Sequence, residues 1–164
     1  MRGGIELWTN LAYPIGAALV YADAPLMAGA LVLTGLASGL YHATGRRWAR
    51  LADRAGVLLL LVSGLVVAGM IPKGSGVALA ALGVLAAVRL RKIDIPVTLL
   101  VGLLLGRTWP ASIGPLMLFV LATAVAYLAE PYRDDVTRAL RYDLLHGAWH
   151  VLTAAAVVWW TLRI

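Results

Sequence analysis

Apolar positions gather into seven runs along the chain, at Ile5–Tyr21, Leu26–Thr44, Leu51–Met70, Val77–Leu90, Ile95–Gly106, Ala111–Ala129 and Leu140–Leu162. A helix crosses the hydrocarbon core of a bilayer in roughly 20 residues, and about 17 suffices when it is short. The pattern therefore predicts an all-α, seven-span bundle occupying residues 1–164 as one domain. Breaker residues mark the boundaries: Ala24-Pro25, Pro72-Lys73-Gly74, Ile95-Pro96, Trp109-Pro110 and Glu130-Pro131. Pro14 and Pro115 fall inside runs and predict kinks there. The fourth and fifth runs are the shortest and are parted by Arg89, Arg91, Lys92 and Asp94. A six-span alternative would need these two to form a re-entrant hairpin.

Charge fits the odd count. With alternate loops on opposite sides, one side receives eleven basic residues: Arg2, Arg46, Arg47, Arg50, Arg54, Arg89, Arg91, Lys92, Arg133, Arg138 and Arg141. The other receives three, Lys73, Arg107 and Arg163. Short loops rich in Lys and Arg stay in the cytoplasm, so the N-terminus is expected there and the C-terminus outside. Removing one span would scramble the clusters.

Composition agrees. Only 13% of residues are charged, against about 25% in an average soluble domain. The chain lacks the polar side chains to coat a globule of its size. The net charge of +6 is spread among clusters between apolar runs, not along one soluble face, which excludes a soluble nucleic-acid binder. There is no cysteine, so disulfides, thiolate zinc sites and thiol nucleophiles are excluded. Glu6 and Asn10 interrupt the first run, which argues against a cleaved signal peptide.

Ionisable side chains inside a span are costly and point to function. Ser38 and His42 lie late in the second run at i and i+4, on one helix face. Asp53 opens the third run, and His146 and His150 repeat the i, i+4 spacing in the first half of the seventh. Glu6 and Asn10 repeat it again at the start of the first. Parity then sets all these groups at similar depth, in the cytoplasmic third. Three imidazoles from two helices suit a zinc site with three protein ligands and a fourth position open to water. Such water has its pKa lowered to about 7. Asp53 is placed to take and return its proton, and Ser38 to hydrogen-bond the water or a developing oxyanion. Asp143, three residues before His146, can orient that ligand.

Taken singly, each residue has a plainer role. The histidines can satisfy backbone carbonyls; Asp53 can cap a helix or pair with Arg50; Ser38 can serve helix packing. Glu6 and Asn10 can be a polar start to the first span, and Trp149 and the other tryptophans belt or packing residues. The shared depth is what joins them.

The residues also resemble a known group. Ser38-Gly-Leu-Tyr-His42, then Asp53, then His146-Gly-Ala-Trp-His150 resemble the pattern of the CREST superfamily of seven-span membrane proteins, which includes alkaline ceramidases and adiponectin-receptor/haemolysin III-type proteins. The similarity runs from about Glu6 to Thr161. It implies zinc ligation by His42, His146 and His150, with Asp53 and Ser38 contacting the zinc-bound water. His146-Gly-Ala-Trp-His150 and Glu6-Leu-Trp-Thr-Asn10 look closest to the ceramidase end. Eukaryotic alkaline ceramidases carry an acidic calcium-binding segment before the first span. Only Met1-Arg2-Gly3-Gly4-Ile5 precede Glu6 here, so no calcium site is expected.

Together these features lead to a zinc-dependent intramembrane hydrolase of a lipid amide, of ceramide-like type, in a prokaryotic inner or plasma membrane, with membrane lipid as its partner and no role for nucleic acid. Two other classes fit parts of the pattern. One is a receptor-like or structural protein whose zinc, closed by Asp53 or Asp143, serves folding. The other is a proton or solute transporter relaying through Glu6, Asp53 and the histidines, although the external half of the chain offers few ionisable groups to extend such a path.

Overall fold

The computed structural model describes residues 4–72, 107–132 and 136–164, with backbone alone for Glu6, Glu130 and Val136. The fourth and fifth apolar runs, with Asp94, lie outside the described residues. Among those described the chain is entirely helical: α1 (Gly4–Thr9), α2 (Ala12–Val20), α3 (Pro25–Thr44), α4 (Arg47–Val67), α5 (Ile113–Ala129) and α6 (Ala139–Thr161). Two short 3-10 turns, Glu130–Tyr132 and Val136–Arg138, lie between α5 and α6.

The first run is not one helix. Proline has no amide hydrogen, so Pro14 cannot bond to the carbonyl four residues back, that of Asn10. The Tyr13 amide takes that carbonyl instead, at 3.2 Å, and the Leu11 amide bonds to Trp8 O at 3.0 Å. The helix therefore divides at Asn10-Leu11 into α1 and α2. Pro115 behaves differently from expectation. It is the third residue of α5, within the first turn, where its missing amide hydrogen is no loss and no kink follows.

Pro25 starts α3, where its fixed φ suits the first helical position. Gly45 ends it at φ +61°, and its amide bonds to Tyr41 O at 2.7 Å. Only Gly45 and Arg46 separate α3 from α4, so the two run antiparallel and pack along their lengths. They approach closely at Gly56, where a Cβ would stand 2.9 Å from the Thr34 Cα. Because α4 begins at Arg47, Asp53 lies almost two turns inside the helix and does not cap it.

The α1–α2 segment contacts both α3 and α6, and α5 lies along α6. Away from the α3–α4 turn, Val20, Met27, Leu31, Leu60, Leu65 and Trp160 belong to one buried apolar cluster. By length and composition, one described helix is long and apolar enough to cross a membrane: α3, with 20 residues. α5 is apolar but has 17 residues, while α4 and α6 are longer and carry ionisable side chains.

Because the obstacle at Gly56 is backbone, Gly56→Ala should force α3 and α4 apart and cost about 1–3 kcal/mol, read as a lower thermal midpoint. Gly29 is an interior α3 glycine with open space where its Cβ would go. Gly29→Ala should leave the midpoint unchanged or raise it.

Candidate metal centre

Two helices deliver the three histidines to one place. His42 stands in the last turn of α3, and His146 and His150 sit one turn apart on α6. Their ring centroids lie 5.1 Å (His42–His146), 5.3 Å (His42–His150) and 4.9 Å (His146–His150) apart. One ring nitrogen from each can be chosen so that all three lie within 4.8 Å of one another. They are close enough to bind a metal ion.

The donor geometry supports that use. His42 Nε2 and His150 Nε2 are 3.3 Å apart. Two nitrogens bound at 2.0–2.1 Å to a tetrahedral ion stand about 3.3–3.4 Å from each other. Small rotations of the imidazoles bring the third donor to the same centre. The opposite ring atoms are engaged elsewhere. His150 Nδ1 lies 3.5 Å from the Tyr13 hydroxyl, and His146 Nδ1 lies 3.5 Å from the Tyr142 hydroxyl. Both are long hydrogen bonds. If each Nδ1–H donates to its tyrosine oxygen, each Nε2 keeps its lone pair for the metal, an arrangement common among metal-bound histidines. These tautomers are assigned from the hydrogen-bond pattern.

Burial enforces the arrangement. His150 is 1% exposed and Tyr13 3% exposed, with their rings edge to face at 5.9 Å. Trp149 lies 4.8 Å from the His150 ring and 5.2 Å from that of His146. Tyr142 stacks on His146 at 5.2 Å, and Tyr41 flanks His42 at the same distance. The histidines are thus wrapped in aromatic rings, which limit the rotamers they can adopt and keep water from their flanks.

Beside them stand the other residues expected at the site. Asp53 is half-buried, next to Ser38 and within electrostatic range of His42, Arg54 and Tyr13. Ser38 is 1% exposed, and Asp53 is the side chain placed to pair with its Oγ. Asn10 is 4% exposed and packs on α3 at Gly35 and Gly39, flanking Ser38. Asp143 is half-buried on α6, three residues before His146. The Glu6 side chain lies outside the described residues.

Sequence reasoning missed three contributors. Tyr142 precedes His146 by four residues, so a scan of i, i+4 neighbours of each histidine finds it. Trp149 was assigned to the belt or to packing, whereas here it walls two of the candidate ligands. Tyr13 gives no such signal, because its approach to His150 depends on the break between α1 and α2.

Comparison of the chain with models of known families, with curated proteins and with solved structures finds no match.

His150→Ala should abolish tight binding of one divalent ion per chain, measured by elemental analysis after gel filtration. Tyr13→Phe keeps the ring and removes only the hydroxyl. Its affinity for the ion should fall roughly 10- to 100-fold, read by competition with a chromogenic chelator. Unchanged affinity would show that the hydroxyl does not support the ligand.

Proposed function

We propose that the chain is a seven-span membrane protein whose three histidines hold zinc, and that it hydrolyses a lipid amide. The observation that carries this reading is the convergence of His42, His146 and His150 beside the Ser38–Asp53 pair.

Several features support the membrane setting. α3 has the length and composition of a span. Large apolar side chains also point outward among the described residues, with Leu36 and Met117 both 66% exposed. Apolar surface of that kind suits lipid better than water. The eleven-to-three asymmetry of basic residues supports seven crossings with the N-terminus inside.

The donor set supports zinc. Three imidazoles without thiolates match catalytic zinc sites that keep a fourth position open. Among the described residues the ligand cluster consists of imidazoles alone. A purely structural zinc would be expected to close on a fourth protein ligand.

When bound, zinc supplies a Lewis acid for a carbonyl oxygen and makes water acidic near neutral pH. The chain's own residues supply the rest. Asp53 accepts a proton from the attacking water as its oxygen bonds to the amide carbon. The same carboxyl returns that proton to the nitrogen as the carbon–nitrogen bond breaks, giving a carboxylic acid and an amine. Ser38 Oγ, beside Asp53, donates to the carbonyl oxygen as negative charge develops there. The aromatic wall of Tyr13, Tyr142 and Trp149 excludes bulk water and strengthens these interactions. A substrate with acyl chains would reach such a site from the bilayer, which gives a hydrolase reason to be embedded in one. The resemblance to the CREST pattern points to a ceramide-like amide.

Detergent-purified protein should contain zinc at about one ion per chain. Asp53→Asn should retain that zinc yet lose turnover of a fluorogenic N-acyl sphingoid amide by at least about a hundredfold, the usual scale of general acid–base catalysis. Undiminished turnover would remove Asp53 from the mechanism.

A further inference from the structure

Thr153 departs from the habit of other helical threonines in the chain. A threonine inside a helix can settle its hydroxyl on the carbonyl four residues back. Thr34, Thr44, Thr123 and Thr161 do so, at 2.8, 2.7, 2.9 and 2.8 Å. Thr153, in the second half of α6, does not. Its Oγ1 is buried and has no hydrogen-bond partner among the described residues. A hydroxyl kept from water and left unpaired is costly unless a ligand supplies the partner.

Its position indicates the ligand. Thr153 follows His146 by seven residues, nearly two turns, and so returns to the same side of α6. Val157, one turn further on, packs against the buried apolar cluster, so this side faces the interior. α3 and α6 run in opposite directions. His42 near the end of α3 meets His146 in the first half of α6, while Met27 at the start of α3 shares the buried cluster with Trp160 near the end of α6. Moving from the imidazoles toward that cluster therefore reaches Ser38, about 6 Å along α3 from His42, and Thr153, about 4.5 Å along α6 from His150. Asp53 stands beside Ser38. The three side chains share one layer next to the rings.

We infer that Thr153 binds the substrate's amide N–H and so selects secondary amides over esters. The inference rests on the hydrolase reading above and names the bond that its site accepts. In that reading the amide oxygen is served by Ser38 and the metal ion, but no group receives the amide hydrogen, which loses its water as the substrate enters. Thr153 Oγ1 is an acceptor with the matching need in the same layer. An ester of the same shape brings no such hydrogen, and its alkoxy oxygen is a poor acceptor, so the hydroxyl stays unmet. Holding the N–H at Thr153 also fixes the plane of the amide. As the carbon becomes tetrahedral, the nitrogen lone pair emerges away from that hydrogen and stays free for the proton that Asp53 returns. Thr153 itself gains and loses no proton.

Binding is measured on detergent-purified protein in the Asp53→Asn background, which spares both lipids from hydrolysis. The probes are an N-alkyl fatty amide and the matching alkyl ester, each labelled on its acyl chain and followed by fluorescence anisotropy. The amide should bind more tightly. Adding Thr153→Val, which keeps the shape and removes the hydroxyl, should weaken amide binding roughly tenfold and leave ester binding unchanged. Thr153→Ser should keep the preference. The thermal midpoint of Thr153→Val alone should hold or rise, because the hydroxyl it removes is unpaired in the protein. With Asp53 restored, Thr153→Val should lower the amide-to-ester ratio of kcat/KM by a similar factor. Equal weakening of both lipids, an unchanged preference in Thr153→Val, or a clear fall in its midpoint would overturn the inference. Wild-type protein that turns over neither lipid, with the amide preference and its loss in Thr153→Val intact, would overturn the hydrolase reading alone.

Discussion

The structure depends on bringing three imidazoles together where little else is polar. Each ring carries two nitrogens that need partners once water is excluded, and His150 is almost wholly excluded from it. Tyrosine hydroxyls meet the outer nitrogens of His146 and His150. The inner nitrogens of His42 and His150 face each other across 3.3 Å. Two neutral imidazoles can share one proton over that distance, but a third ring at the same centre calls for a charge that all three can share. The three rings are close enough for a metal ion to meet that need, and an ion there would cross-link the N-terminal and C-terminal parts of the chain.

The helices around the cluster are arranged to support this meeting. The two-residue turn at Gly45 returns the chain at once, so Asp53 on α4 comes back beside Ser38 and His42 on α3. The α1–α2 segment wedges between α3 and α6, contacting both. It contributes Asn10 on the α3 side and Tyr13 toward His150. The ligands thus come from α3 and α6, while their support comes from elements that hold those helices at the right distance.

Much of this was legible in the sequence because few residues carry the signal. Three histidines in a chain so poor in polar groups, two of them at i, i+4 and one beside Ser38 at the same spacing, name the cluster before any coordinates do. Some helix limits were legible too, since proline marks them: Pro25 begins α3. What stayed hidden depends on distance in three dimensions. Trp149 reads as a belt or packing residue, and only ring-to-ring geometry shows that it and Tyr142 lie against the candidate ligands. Asp53 was read as the opening of its span because hydropathy starts at Leu51, although the helix itself starts with the charged turn at Arg47. Periodicity of apolar residues reports where lipid-like surroundings begin, not where backbone hydrogen bonding does.

The break at Asn10-Leu11 has a wider meaning than a bend. The amide that closes the gap left by Pro14 belongs to Tyr13, the same residue whose phenol reaches His150. One amino acid therefore repairs the backbone at its own position and steadies a ring 137 residues further along the chain. A continuous first helix would leave the Asn10 carbonyl unpaired at Pro14, whereas the break lets the Tyr13 amide meet it. The imperfection is a mortise: the irregular cut is what lets the joint lock.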